Sequence, residues 1–133
     1  MTETFLPFWI KGVMAGDTSS GSITSYTQVL GTQDFTEVVA QLVFDATICD
    51  SMLATSSSII VTPQISANGT DWKDGTAFTT VTPSTTFPAR QVLKISEVSQ
   101  LMRFKVVLAD GGGGDRSGGT FSIHAMGRND DED

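Results

Sequence analysis

One cysteine, one histidine and eight basic residues among 133 close off several routes to function at once. Cys49 has no partner for an intrachain disulfide, and beside Ile48 it reads as a small buried hydrophobe rather than a nucleophile. His124 stands without a second ligand at metal-binding spacing, which favours a solvent-facing side chain over a general base or metal ligand. No serine lies in a nucleophile-elbow pattern. Lys11, Lys73, Arg90, Lys94, Arg103, Lys105, Arg116 and Arg128 are scattered through a chain of net charge −7, so phosphate-driven nucleic-acid binding is not expected. The opening MTETFLPFWIKG has neither the basic region of a signal peptide nor a span-length apolar run. Synthesis in a cytosol without membrane insertion is the expectation. No helical pattern of ten residues and no internal repeat stands out. The chain is not expected to be an enzyme or to need a cofactor or metal.

What remains is rich in Ser, Thr and Gly, residues that favour pleated surfaces and turns. The clearest unit is IIVTPQISANGTDWKDGTAF, Ile59 to Phe78. An alternating strand enters Asn68-Gly69, a lone Trp72 follows, and Asp74-Gly75 offers a second tight turn before a strand over Ala77–Val81. Pro63 places the first strand at an edge or a bulge. Further strands are expected at residues 35–48, 90–96, 101–109 and 120–126. A helix over Asp34–Ala46 is the alternative that β-branched content disfavours. Leu101–Ala109 alternates cleanly, and with Thr120–Met126 it is expected to form a hairpin around the Gly-rich Asp110–Gly119. About eight strands spaced by turn signals predict an antiparallel β-sandwich or jelly roll. Its core is expected to draw on Val39, Phe44, Ile59, Val61, Phe78, Leu93, Phe104, Val106, Phe121 and Ile123. The chain divides into an N-terminal arm or edge strand (1–12), the sandwich (13–128) and an acidic tail (129–133).

Two groups of residues are candidates for recognition. Phe5, Phe8, Trp9 and Ile10 crowd aromatics beside Pro7 near the start of the chain, either against another subunit or in the chain's own core. If they form a subunit contact, deleting residues 1–12 should weaken assembly and leave a folded domain. Asn68, Asp71, Trp72 and Asp74 form the second group, a surface-recognition turn. Trp72 there is either a sugar-stacking platform or a plug whose ring N–H bonds a turn carbonyl. The oxygens of Asn68, Asp71 and Asp74 lie near one another but miss the every-second-residue spacing of a calcium loop. Asp110–Gly119 lacks the lysine and following helix of a phosphate cradle.

From Phe35 to Arg128, the succession of an apolar strand, SANGTDWKDG, a Phe-bearing strand, LMRFKVVLAD, a Gly-rich tip and TFSIHAMGR resembles small β-sandwich virion proteins of tailed bacteriophages, of the head-decoration and accessory type. The Asn-Gly-Thr and Trp turn is more weakly similar to discoidin-like sugar-binding sandwiches. The first resemblance implies a structural capsid subunit located in the virion, self-associating (a trimer favoured) on a larger assembly. The second implies a carbohydrate-binding or adhesion module.

Overall fold

Alternation holds from Leu101 to Leu108 in the computed structural model: Met102, Phe104, Val106 and Leu108 are fully buried, and the residues between them are not. The structure describes residues 2–17, 22–46, 58–81, 89–109 and 116–129; within these, residues 2, 10, 11, 13–17, 45, 46, 109 and 116–118 are described by backbone alone. Cys49, the double-proline loop, most of the Gly-rich tip and the acidic residues 130–133 lie outside the described residues.

The strands are β1 (Thr2–Asp17), β2 (Ile23–Tyr26), β3 (Leu30–Gly31), β4 (Glu37–Ala46), β5 (Ser58–Ser66), β6 (Lys73–Asp74), β7 (Ala89–Ile95), β8 (Leu101–Ala109) and β9 (Arg116–Asn129). One sheet has the order β1-β9-β4-β7; the other runs β2-β8-β5-β6, with β3 also on β8. β2 and β3 pair with successive stretches of β8 and so act as one interrupted strand. Counted that way, the eight strands among the described residues pair in nested fashion: β1 with β9, β2/β3 with β8, β4 with β7, β5 with β6. Nested antiparallel pairing is what a long hairpin produces when it is rolled up, and it defines the jelly roll. The fold is an all-β antiparallel jelly-roll sandwich, and one apolar core joins both sheets.

The expected β8–β9 hairpin does not form. β8 is central in one sheet and β9 in the other, each paired on both sides. Both strands carry an inward apolar row, Met102, Phe104, Val106 and Leu108 on β8 and Phe121, Ile123 and Ala125 on β9, and the two rows gain more by facing each other across the sandwich than by lying edge to edge. The Ala77–Val81 strand is reduced to a bridge between Val81 and Ile59, although Phe78 is buried as expected. Pro63 explains the loose pairing here. Its carbonyl accepts from Gly75 N–H at 2.8 Å, so its missing N–H lies on the β6 side of β5, and the ladder there spans only Gln64–Ile65.

In β4 the inward residues are Val38, Ala40, Leu42 and Phe44. Val39 therefore does not belong to the core; it faces out with Gln41 and Val43, half-buried. Val38 and Val39 stand on opposite faces of EVVAQLVFDA, and a shift of one residue exchanges the two faces. Leu93 is partly buried against the core. The other expected core residues, Phe44, Ile59, Val61, Phe78, Phe104, Val106, Phe121 and Ile123, are buried.

Candidate functional site

β1 shows where the aromatic N-terminal segment goes. Leu6 points inward and Pro7 pairs outward opposite His124; the register then shifts before Trp9, which lies opposite Ile123. The bulge lets two consecutive residues turn toward the core. Phe8 (4% exposed) meets the Phe104 ring edge-on at 4.8 Å, and Trp9 stacks on Phe121 at 4.9 Å. Trp9's indole also lies over Gly12, where any Cβ would collide with it. Phe8 and Trp9 thus serve the chain's own core, and β1 is an edge strand of the sheet rather than a detached arm. Ile10 lies on β1, with its side chain outside the described residues' side chains. Phe5 alone of the four is shown exposed, at 51%.

Phe5 belongs to the outer face of the β1-β9-β4-β7 sheet. Cross-strand register aligns Phe5, Met126, Val39 and Lys94 in one row and Pro7, His124, Gln41 and Val92 in the next. Phe5, Val39, Gln41, Val92, His124, Ala125 and Met126 line a shallow depression of about 300 Å³. Val92 is 67% exposed, and the Phe5 ring tilts against His124 at 5.6 Å. A charged row closes one end of this face: Glu37 pairs with Lys94 (3.2 Å) and Arg128 (3.5 Å), and Arg128 with Glu3 (3.5 Å).

The second recognition candidate divides into two parts. Asn68 Oδ1 accepts from the backbone N–H groups of Thr70 and Asp71, both at 2.9 Å, and its amide donates to Asp71 Oδ2 at 3.0 Å. Gly69, at φ 80°, takes the left-handed conformation that the Asn-Gly pair signalled. The turn expected at Asp74-Gly75 is absent, because Asp74 is in β6 and Gly75 bonds Pro63.

Trp72 and Asp74 instead reach the outer face of the β2-β8-β5-β6 sheet. The Arg103 guanidinium lies 4.1 Å from the centroid of Trp72 and 3.9 Å from that of Tyr26. Its Nε donates to Gln64 Oε1 at 2.8 Å, Gln64 Nε2 donates to Asp74 Oδ1 at 2.7 Å, and Lys105 Nζ lies 2.9 Å from Asp74 Oδ2. Trp72 is thus neither a plug bonded to a turn carbonyl nor a bare platform: one part of its ring is taken by Arg103. Tyr26, Gln64 and Arg103 were missed in the sequence. They meet only because the register sets Gln64 opposite Arg103 and Tyr26 opposite Lys105, which no local pattern encodes.

The hydrogen bond from Gln64, then that from Lys105, holds the Asp74 carboxyl below its ordinary range. A lowered folded-state pKa contributes stability above the unfolded value, lost as pH falls through the folded one. The network should persist at neutral pH and loosen only in strong acid; an NMR titration of Asp74 should give a midpoint below that of a free aspartate. An ordinary midpoint would show that Gln64 and Lys105 do not hold it.

No protein-family model and no curated protein sequence matches the chain. Solved structures do. The chain matches a structure of the infectious bursal disease virus Gx strain with a TM-score of 0.63 at 14% identity, covering 94% of this chain and 32% of that one. A Gt strain structure gives 0.59 at 13%, covering 96% and 32%. The VP2 subviral particle of the same virus gives 0.61 at 14%, covering 96% and 33%. This chain spans about a third of the length of those it matches, and at such low identity what it shares with these viral proteins is the jelly-roll fold.

Proposed function

We propose that this chain is a structural virion protein, a capsid-associated decorating or accessory subunit that self-associates on the particle. The observation that carries the reading is the match of nearly the whole chain to the fold of viral structures, one of them a VP2 subviral particle. Its bacteriophage origin rests on the sequence resemblance alone. An acidic chain without a catalytic constellation suits such a role, since a subunit of a shell's outer layer needs shape, stability and mutual contacts and must not bind the packaged genome. No enzymatic step is assigned to it.

The surface for self-association is the outer face around Phe5, Val39, Val92 and Met126, with a second copy of the chain as occupant. Apolar side chains are left uncovered there on a protein of net charge −7, and the charged row at its end offers both signs of charge to a neighbour. Closed cyclic symmetry is the usual outcome of soluble self-association, and a trimer fits the three-fold axes of a shell. Native mass spectrometry should show a closed oligomer, and the double substitution Phe5→Asp with Val92→Asp should convert it to folded monomer. An intact protein that is monomeric at all concentrations, or an oligomer indifferent to the double substitution, would overturn the assignment of this face.

A further inference from the structure

We infer that the outer face of the β2-β8-β5-β6 sheet binds a singly carboxylated saccharide, with Arg103 as the residue that takes the carboxylate. The first ground is a charge left over. The chain has 15 acidic and eight basic residues, and Lys73, Lys94, Lys105 and Arg128 each sit within ion-pair distance of a carboxylate. Arg103 makes no ion pair among the described residues. Arg90, also without one, stands exposed on the edge strand β7 and is held by nothing described. Arg103 is held by Tyr26, Trp72 and Gln64.

The second ground is preorganisation. Tyr26 and Trp72 fix the guanidinium by their rings, and Gln64 fixes its rotation through Nε. Gln64 cannot turn its amide over without losing Asp74, which Lys105 holds in turn. Among the described residues, the terminal nitrogens of Arg103 have no hydrogen-bond partner. A planar guanidinium offers a fork that matches a carboxylate through two parallel hydrogen bonds. Fixing that fork beforehand removes much of the ordering cost that makes exposed ion pairs weak.

The surroundings select the rest of the ligand. Tyr26 is 48% exposed, so ring surface remains beside the guanidinium for the apolar face of a sugar, and the Gln64 and Asp74 side chains suit hydroxyl groups. A peptide fits less well, because β8 is paired on both sides and offers no free backbone to an added strand. A polyanionic chain would meet the repulsion of the net charge, whereas one carboxylate meets one arginine. The inference does not depend on assembly of the chain into a particle.

The test is titration of the intact protein with matched oligosaccharides: a glucuronate-terminated one, a sialylated one, their methyl esters and a neutral parent, read by NMR shifts of the Arg103 and Trp72 side chains. Saturable binding of at least one acid, with its ester and the neutral parent bound at least tenfold more weakly, is expected. Arg103→Lys, which keeps the charge without the fork, should weaken binding at least tenfold while the thermal melt stays cooperative. Equal binding of acid and ester, no binding of either acid at millimolar concentration, or full binding by Arg103→Lys would overturn the proposal. The acid–ester comparison uses unaltered protein, so the proposal can be overturned even where a variant fails to fold. Preference for an acidic peptide over both saccharides would overturn the ligand class.

Discussion

Truncating Phe104 to alanine is expected to cost about 3–5 kcal/mol of folding stability, read by equilibrium denaturation. Phe104 is fully buried and lies against two rings, Phe8 of β1 in the opposite sheet, edge-on with centroids 4.8 Å apart, and Phe78, with centroids 6.2 Å apart. Its backbone is pinned as well, with its N–H donating to Thr27 Oγ1 and its carbonyl accepting from Thr27 N–H. With the strands held in place, the site has little freedom to collapse around a smaller side chain, and the cavity remains. A loss below about 1 kcal/mol would mean that the core repacks and that Phe104 does not key the sheets together.

Deleting residues 1–12 is expected to abolish cooperative folding, the reverse of what a detachable arm would do. The deletion removes Leu6 and Phe8 from the core and Trp9 from its stack on Phe121. Losses of about 2–5 kcal/mol for a buried leucine and about 3–5 for a phenylalanine are together comparable to a typical total of about 5–15 kcal/mol, before the Trp9 stack is counted. It also uncovers the edge of β9, leaving an unpaired ladder beside an opened core. Circular dichroism with limited proteolysis should show a chain that melts without a sharp transition and is cut within the sandwich. A truncated chain that melts cooperatively near the full-length temperature would restore the arm reading. This is also why self-association is better probed at Phe5 and Val92, whose side chains lie outside the core.

How the functional surfaces arise follows from the same packing. In β4 both faces of the strand carry valine, and the sandwich can bury only one of them. Val38, Ala40, Leu42 and Phe44 go inward, which leaves Val39 and Val43 on the outside, Val39 beside Phe5, Met126 and Val92. The ambiguity that misplaced Val39 is therefore the origin of the apolar outer face. On the other sheet the turn residue Asn68 closes its loop locally, and the chain returns Trp72 and Asp74 across β5 toward Arg103. Of the candidate turn, the Asn68–Asp71 half was legible in sequence; the Trp72–Asp74 half acquired its partners from β2, β5 and β8.

By itself the sequence determined what depends on neighbours along the chain. Period-two alternation set the inward rows of β5, β8 and β9, because side chains on a strand must point to opposite faces. Asn68-Gly69 set a turn with positive φ, because glycine carries no Cβ penalty there. The dearth of histidine, cysteine and clustered base bounded the chemistry. Tertiary structure alone decided the rest. That β8 and β9 face each other instead of pairing follows from burying two apolar rows at once. That Phe8 and Trp9 both turn inward follows from a bulge opposite β9, and that Arg103 lies between Tyr26 and Trp72 follows from register among three strands distant in the chain. Alternation is a local property of the chain, whereas sheet membership, bulges and register are set by which rows must be buried together, and only the assembled core determines that.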